Sequence, residues 1–405
     1  MTIEIRTIEL DEIAAYAQAA QVGFLDPGPV PEHRIGRFTA RFQPGRFWTA
    51  DDDGRLVATL RSHTFDTTLP GVTLSTAGLT LVTVTATHRR LGLMSKMLRA
   101  DMESSVERGE PLATLIAAEW PIYGRFGFAP AVDHAAYEID AAAARWRTPE
   151  EGRVEVVDIE TLRAEAPAVF DVHRVRSPGE ISRDDLSWDA TANITPLEGP
   201  WTGFQVLCRD DAGKAVGYAI YSVDKVFDAR RPKATVKLVE MIATTPAFTT
   251  KLWSYLTELD WVTTVVAEDR SVDDPLRYSL VDGRVARQTM RADFAWARPL
   301  DVVACLTARA YTGSGRIVFD VVDPMGHCTG RYALDATPEG AQCTRTDASA
   351  DLTLPVGTVG ALMFGGASLA QLAAAGLADE HRADAIARAD SLFHWPVKPW
   401  SATWF

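Results

Sequence analysis

The chain has 405 residues, of which 47% are hydrophobic and 23% charged, and its formal net charge is −13. At roughly 150 residues per domain, this length predicts two or three globular domains. The acidic balance argues against a nucleic-acid partner, which needs a basic face. It fits either an attraction for cationic small molecules or ordinary solubility.

Four scattered cysteines form no C-x-x-C pair, and no histidines cluster near them. The sequence therefore predicts neither a disulfide framework nor a metal site. The first residues lack a basic segment followed by an apolar core, and no run of about 18 apolar residues is present. We expect a cytoplasmic protein with no membrane partner.

Residues 1–146 alternate between strand and helix patterns, which favours an α/β or α+β domain. The predicted elements are a strand at Thr2–Thr7, a helix from Asp11 through Val22, a loop at Asp26–Pro31, a hairpin of Phe47–Ala50 with Leu56–Leu60, one or two strands in Val72–Val84, a helix at Leu93–Val106, a strand at Leu112–Ala117, a short helix at Pro121–Phe126 and a strand at Tyr137–Ile139. The stretch Trp146–Gly152 suits a linker.

The next segment, residues 147–296, contains an echo of the first. Leu238-Val and Ala243-Thr align without gaps on Leu81-Val and Ala86-Thr, and a helix pattern follows in both copies, at Lys251–Leu259 in the second. This indicates duplication of one α/β unit. Pro246-Ala-Phe-Thr stands where the first copy has Arg89-Arg-Leu-Gly, so we expect a structural repeat without a phosphate site.

From residue 297 to residue 405 the pattern changes to that of an α+β domain. The expected elements are a helix at Leu300–Ala310, strands of an antiparallel sheet at Gly315–Val322, Thr329–Leu334 and Ala350–Leu354, and helices at Val356–Met363 and Ser368–Ala374.

The strongest functional pattern is Val82-Thr-Val-Thr-Ala-Thr-His-Arg-Arg-Leu-Gly-Leu-Met94, a strand that runs through a loop into a helix. The first N–H groups of a helix have no intrahelical partners, and with the helix dipole they attract anions. Arg89 and Arg90 add positive charge, and Gly92 allows close backbone approach. The pattern predicts a pyrophosphate site, although a solvated Arg-Arg pair beside an ordinary turn is the alternative.

This pattern resembles the Arg/Gln-x-x-Gly-x-Gly/Ala motif of the GNAT acetyltransferases, with Met94 at the position of the last small residue. Thr87–Leu93 and Tyr123–Phe128 resemble more closely the enhanced-intracellular-survival (Eis) family of actinobacterial aminoglycoside acetyltransferases, in which that position is commonly bulky. The resemblance covers the whole chain. It implies a mixed α+β fold, with a catalytic GNAT domain at 1–146, a degenerate one at 147–296 and a sterol-carrier-protein-like domain at 297–405, assembled as a homohexamer.

The same resemblance implies acetyl-CoA as co-substrate and no metal. The strand would pair with the pantetheine arm and the loop would hold the pyrophosphate. The residues so assigned are Val82, Thr83, Val84, Arg89, Arg90, Leu91, Gly92, Leu93, Met94, Ser95, Ala118 and Glu119.

Two residues take catalytic roles by resemblance. Tyr123 would be the general acid, since a phenol is protonated at neutral pH and can donate to a departing thiolate; a ring packed on the sheet is the alternative. The terminal carboxylate of Phe405 would be the general base, and the alternative is that Trp404 and Phe405 only fill a surface groove.

The acceptor pocket is expected near Phe24, Asp26 and Trp404. Asp26 could hold a cationic amine or only cap a turn, and His88 is expected to be structural. The predicted activity is therefore N-acetylation of primary amines on cationic, aminoglycoside-like small molecules. The alternatives are a protein-lysine or polyamine acetyltransferase and a non-catalytic lipid-binding or scaffold protein.

Overall fold

The computed structural model describes residues 3–147, 151–194 and 201–405. The first part of the chain forms the elements that the sequence predicts, with one long strand at Val72–Val84, and adds a helix. These elements are β1 (Glu4–Thr7), α1 (Ile13–Gly23), α2 (Glu32–Ala40), β2 (Phe47–Asp52), β3 (Arg55–Leu69), β4 (Val72–Val84), α3 (Leu93–Glu107), β5 (Leu112–Ile116), α4 (Trp120–Tyr123), β6 (Ala129–Pro130) and β7 (Asp133–Asp140). Thr2 and part of the linker predicted at Trp146–Gly152 lie outside the described residues.

Helix α2 was not expected from the sequence, in which we assigned no element between Pro31 and Phe47. Pro31 precedes the helix in an extended conformation and Glu32 lies in its first turn. An extended residue before an acidic first turn is a favourable helix start, because the carboxylate complements the positive end of the helix dipole. The Pro-rich loop predicted at Asp26–Pro31 ends where this helix begins.

The middle and final segments contain the predicted second strand–helix copy and the C-terminal elements. In chain order these are β8 (Arg153–Val157), α5 (Ile159–Arg174), α6 (Asp185–Thr191), β9 (Phe204–Arg209), β10 (Ala215–Asp228), β11 (Arg231–Ala243), α7 (Pro246–Thr257), β12 (Val262–Arg270), α8 (Leu276–Ser279), β13 (Ala286–Asp293), β14 (Ala295–Pro299), α9 (Val302–Ala308), β15 (Gly315–Val322), β16 (Gly330–Thr337), β17 (Gly340–Arg345), β18 (Leu352–Pro355), α10 (Val356–Met363), α11 (Leu369–Ala374), β19 (Asp379–Glu380) and α12 (Ala385–Phe393).

The described strands form three sheets, and two strands are exchanged between the first two. The orders are β1-β2-β3-β4-β5-β14-β6, β13-β7-β12-β11-β10-β9-β8 and β17-β16-β15-β18-β19. Strand β7 from the first segment pairs with β12 and β13, while β14 from the second segment pairs with β5 and β6. Sheet membership therefore does not follow the divisions that we placed at 146 and 297.

The third sheet is mixed, and our expectation of an antiparallel sheet was wrong for one pair. Strands β15, β16 and β17 form an antiparallel meander, but β15 pairs with β18 in parallel. After β17 the chain crosses to the other edge of β15 and returns in the same direction, which makes that pair parallel.

Helix α3 lies on the first sheet through the apolar stripe that the sequence predicts. Leu93, Met97, Leu98 and Met102 are buried together with residues of β3, β4 and β5. Their spacing of three and four residues places them on one side of the helix. This packing fixes the N-terminus of α3 close to the end of β4.

A buried ion pair links the first sheet to the C-terminal domain. Arg298 on β14 lies 2.7 Å from Asp323, and both side chains are fully buried. Arg298 also donates to the carbonyl of Phe126, just after α4. The exchanged strand therefore connects the region after α4 to the third domain. Among the described helices, none has the length and apolar character needed to cross a membrane.

Candidate active site

Strands β4 and β5 run parallel but separate before β4 ends. Their pairing covers only Thr76–Leu79 against Leu112–Leu115, whereas β4 continues to Val84. Leu81 has a left-handed φ of 54°, and the register between β4 and β3 shifts at the same point, as in a β-bulge. One edge of residues Thr80–Val84 is therefore not paired with any described strand.

The backbone of Val84 is directed into this gap. Thr85 N–H donates to the carbonyl oxygen of Val57 on the β3 side at 2.9 Å. Backbone groups alternate in direction along an antiparallel ladder, so the N–H and C=O of Val84 point away from β3. A free N–H at this point can bind an amide or a developing oxyanion.

The side chains of this part of β4 point to opposite faces of the sheet. Thr83 Oγ1 lies 2.8 Å from Thr59 Oγ1 and both residues are buried. Val82 and Val84 pack against the core that contains α3. The side chains are thus used for packing, which leaves the backbone as the functional part of the strand.

The loop before α3 has the geometry of an anion site. Arg90 has a φ of 67° and Gly92, the residue that precedes the helix, has a φ of 72°. No side chain caps the first N–H groups of the 15-residue helix α3. Left-handed residues in such a loop turn successive N–H groups inward to form a concave anion site. The exposed residues here are Arg89, Arg90, Leu91, Gly92 and Ser95, whereas Leu93 is buried and Met94 half-buried.

His88 holds this loop in place rather than facing the gap. Its Nε2 lies 3.1 Å from a carboxylate oxygen of Asp52, and its Nδ1 lies 2.8 Å from Thr87 Oγ1. Both ring nitrogens are therefore occupied. This arrangement fits the structural role that we expected for His88.

The second copy lacks an equivalent anion site. Thr245 Oγ1 accepts the backbone N–H of Phe248 at 3.4 Å, and Pro246 has no N–H to offer. The gap between β11 and β12 is also bridged, because Arg270 donates to the carbonyl oxygen of Met241 at 2.7 Å. The start of α7 therefore offers a phosphate group fewer free backbone donors than the start of α3.

Tyr123 ends helix α4, shortly after β5. The residue is 7% exposed and belongs to the core beneath α3. Burial, and secondarily the nearby Glu119 carboxylate, raises the pKa of Tyr123 above its ordinary value. The phenol is therefore protonated at neutral pH and can act as a proton donor. Ala118 and Glu119 are exposed at the end of β5.

The C-terminal residue reaches the first sheet from the far end of the chain. Thr80 Oγ1 donates to a terminal carboxylate oxygen of Phe405 at 3.4 Å. The Phe405 ring packs edge-on against Phe65, with centroids 4.8 Å apart, and lies 5.9 Å from the ring of His63. The terminal carboxylate thus lies beside the bulged part of β4.

A set of hydrogen bonds that the sequence did not reveal anchors the tail. The carboxylate of Glu180, which is fully buried, accepts the hydroxyls of Ser401 and Thr403 at 2.8 and 2.7 Å and the N–H of Ala402 at 2.7 Å. His134 Nε2 lies 2.8 Å from the Ser401 carbonyl oxygen. Glu180 is an isolated glutamate in a loop, so no sequence pattern could have marked it.

A cleft of about 1310 Å³ opens between the first two sheets and the tail. Phe24, Trp404 and Phe405 line it, together with Thr80 and Leu81 of β4. The structure therefore brings two of the three expected acceptor-binding residues to one cavity.

Asp26, the third expected acceptor-binding residue, is placed differently. It is not among the residues that line the cleft. Its half-exposed carboxylate instead faces Arg34 at 3.5 Å.

Three family models match successive parts of the chain. Acetyltransferase (GNAT) domain models match residues 4–131 and 179–299, and a sterol carrier protein domain model matches residues 302–402. Together with the separated β4 and β5 and the uncapped α3, these matches define a GNAT N-acetyltransferase with two GNAT domains and a sterol-carrier-like domain. The predicted fold class is thereby confirmed.

Relatives over most of the chain identify the family. An uncharacterized N-acetyltransferase from Streptomyces avermitilis is 40% identical and covers 100% of this chain and 99% of its own length. The N-acetyltransferase Eis from Mycobacterium tuberculosis is 33% identical over 80% of each chain. The crystal structure of Eis1 from Mycobacterium abscessus superposes over 100% of both chains with a TM-score of 0.88 and 25% identity. The chain belongs to the Eis family of GNAT N-acetyltransferases.

Proposed function

We propose that this enzyme transfers an acetyl group from acetyl-CoA to a primary amine held in the cleft beside Phe405. The observation that carries this proposal is the position of the terminal carboxylate against β4, next to the gap between β4 and β5. A chain end held by buried hydrogen bonds differs from the frayed, mobile terminus that most domains have.

The residues around the α3 N-terminus fit the pyrophosphate of coenzyme A. Uncapped N–H groups, two left-handed residues and the exposed cations Arg89 and Arg90 favour a polyanion. A Cβ on Gly92 would meet no atom within 4 Å, so the space in front of the loop is open. The unpaired edge of Val82–Val84 would hydrogen-bond the amide groups of the pantetheine arm. Ala118 and Glu119 border the same gap at the end of β5.

We assign the two proton transfers to the terminal carboxylate of Phe405, which lies beside β4, and to Tyr123, at the end of α4. The Phe405 carboxylate takes a proton from the ammonium form of the acceptor, directly or through water, and the freed amine attacks the thioester carbonyl. The N–H of Val84 is directed to stabilise the oxyanion that forms. As the C–S bond breaks, Tyr123 donates its phenolic proton to the departing thiolate, and the second proton of the acceptor nitrogen passes to the phenolate, directly or through water.

The acceptor class rests on resemblance and on the acidic groups at the cleft. A cationic, aminoglycoside-like amine would be attracted by Glu268, Asp269 and the terminal carboxylate, all of which line the cleft. The homohexamer that the resemblance implies also stays a prediction, and light scattering of the purified chain would measure it.

Thiol release from acetyl-CoA, followed with a panel of amines, tests this function. The panel should contain aminoglycosides, polyamines, a lysine peptide and small monoamines, with mass spectrometry to locate the added acetyl groups. We expect turnover with at least one amine and a severe loss, about 100-fold or more, when one glycine is appended after Phe405.

The matched control for the appended glycine is Trp404→Phe, which leaves the terminal carboxylate in place. It should retain much more activity than the extended chain. An extended chain that folds normally and keeps full turnover would remove Phe405 from the mechanism. Absence of turnover with every amine would refute the proposed function itself.

A further inference from the structure

One wall of the cleft is basic although the whole chain is acidic. Arg37 and Arg41, at α2 and just after it, and Arg61, on β3, all line the cavity. We call these three residues the basic wall. The formal charge of the chain is −13, so a local excess of arginine in the acceptor cleft is not explained by composition.

Arg61 is the central member of the basic wall. The residue is 8% exposed, and its Nε is buried without a hydrogen-bond partner in the described chain. The guanidinium carbon of Arg61 lies over the Phe47 ring, 5.7 Å from the ring centroid. Burial lowers the pKa of Arg61 to about 10, so it is still charged at neutral pH. A buried charge without an ion-pair partner is costly, and such groups are normally paired.

The other two arginines do not neutralise this charge but add to it. Arg37 forms no ion pair with a described carboxylate, and burial, followed by repulsion from Arg41 and Arg34, lowers its pKa. Arg41 makes only long contacts, 3.4 Å to Asp184 and 3.3 Å to a serine hydroxyl. The basic wall therefore keeps a net positive charge.

His63 connects the basic wall to the reacting end of the cleft. It lies two residues after Arg61 on β3, and its ring centroid is 5.9 Å from that of Phe405. Burial and the neighbouring arginines hold the pKa of His63 well below its ordinary value, so the ring is neutral at pH 7. The basic wall and the terminal carboxylate thus face one cavity.

We propose that the basic wall is an anion subsite and that the preferred acceptor is a primary amine that also carries a carboxylate or phosphate group. Guanidinium groups bind both anions through paired hydrogen bonds. An amine placed at Phe405 would then leave its anionic group at Arg61. This inference rests on the proposed function and narrows its acceptor, because the amino end would face the acidic groups of the cleft while the anionic end faces the basic wall.

Matched pairs of acceptors test the preference. β-Alanine and n-propylamine differ in a carboxylate against a methyl group, and phosphoethanolamine and ethanolamine differ in a phosphate. We expect kcat/KM to be at least about tenfold higher for the anionic member of one pair, the size of one charged hydrogen bond. The pair that shows the preference identifies the anion. Equal values within both pairs would overturn the proposal.

Substitution of the basic wall provides the second comparison. Arg61→Met should bring the preference ratio close to one, and Arg61→Lys should restore part of it. Arg316→Gln, an exposed arginine in the third domain, is the control and should leave the ratio unchanged. A preference that survives Arg61→Met contradicts an anion subsite at this residue.

Thermal unfolding separates a failed subsite from a failed enzyme, since it needs no turnover. Arg61→Met should raise Tm without ligand, because an unpaired buried charge is removed. Inorganic phosphate should raise the Tm of the wild type more than that of Arg61→Met. If no amine is acetylated but this difference is seen, the proposed function fails and the subsite stands. An equal phosphate response in both proteins, or a lowered Tm for Arg61→Met in the absence of ligand, refutes the subsite.

Discussion

At the scale of single residues, burial keeps Tyr123, the proposed general acid, in its protonated form. Desolvation, with the Glu119 carboxylate as a smaller cause, disfavours the phenolate and raises the pKa. The protonated form therefore persists to higher pH than in a free tyrosine, and it is lost only as the pH rises through the raised value. A general acid with this pKa stays fully protonated across the neutral range.

Replacement of Tyr123 by phenylalanine removes the proton and keeps the ring. We expect kcat to fall by about 10²–10⁴-fold, with little change in KM for acetyl-CoA, because the hydroxyl acts in the departure of the thiolate. Steady-state kinetics measure both values, and Tyr278→Phe, at an 85% exposed position, is the control. Wild-type kcat in Tyr123→Phe would exclude the role.

The sequence identified some of the candidate site residues and missed others. Tyr123 and Phe405 were named by resemblance, because a single tyrosine or a terminal carboxylate has no pattern of its own. Glu180 and Arg61 were missed, since their significance comes from burial and from distant partners. Asp26 was expected at the acceptor, but its carboxylate faces Arg34 and does not itself line the cleft.

At the scale of elements, the difference between α3 and α7 explains why only the first of the two copies has an uncapped helix start. Both helices follow a long strand, but α7 begins with a threonine cap and a proline, whereas α3 begins after left-handed Arg90 and Gly92. A non-glycine residue in the left-handed region costs roughly 1–2 kcal/mol. Strain of this kind at Arg90 fits a loop shaped for a ligand rather than for stability.

Substitution of Arg90 by glycine should separate stability from binding. Glycine relieves the left-handed strain, so Tm should not fall, while loss of the cation should raise KM for acetyl-CoA several-fold. Asp384→Gly, at another left-handed position with a φ of 65°, is the control and should leave KM unchanged. An unchanged KM in Arg90→Gly would show that this arginine does not contact the donor.

Element positions were largely predictable because strand and helix periods are local properties of the sequence. The stripe of α3 and the hairpin of β2 and β3 were found in this way. The exchange of β7 and β14 was not, since the choice of a partner strand depends on the whole sheet. The left-handed Leu81 that forms the bulge also follows from pairing rather than from residue type.

At the scale of the whole molecule, the candidate site is assembled from parts of the chain that are distant in sequence. The loop and bulge come from the first sheet, the anchor Glu180 from the loop between α5 and α6, and Phe405 from the end of the third domain. Strand exchange binds the two GNAT domains together, and the Arg298–Asp323 pair fixes the third domain against the first sheet. The position of the terminal carboxylate therefore depends on the arrangement of all three domains.

Substitution of Glu180 by glutamine tests whether the anchored tail controls catalysis. One carboxylate oxygen accepts the Ala402 N–H, while the other accepts the hydroxyls of Ser401 and Thr403. The second oxygen also accepts the backbone N–H of Ile181 at 3.0 Å, so a backbone donor faces each oxygen. The NH₂ group of glutamine must therefore oppose one of these donors, and an unsatisfied buried donor costs about 1–3 kcal/mol. We expect a lower kcat, with KM for acetyl-CoA nearly unchanged, and faster removal of Phe405 by carboxypeptidase.

If the anchored tail positions the base, kcat and the rate of carboxypeptidase digestion must both change in Glu180→Gln. Glu165→Gln, which removes a half-exposed partner of Arg209, is the matched control and should affect neither. Faster carboxypeptidase digestion with an unchanged kcat would mean that Phe405 need not be held in place for turnover. A lower kcat without faster digestion would instead point to a general loss of stability, which thermal unfolding measures separately.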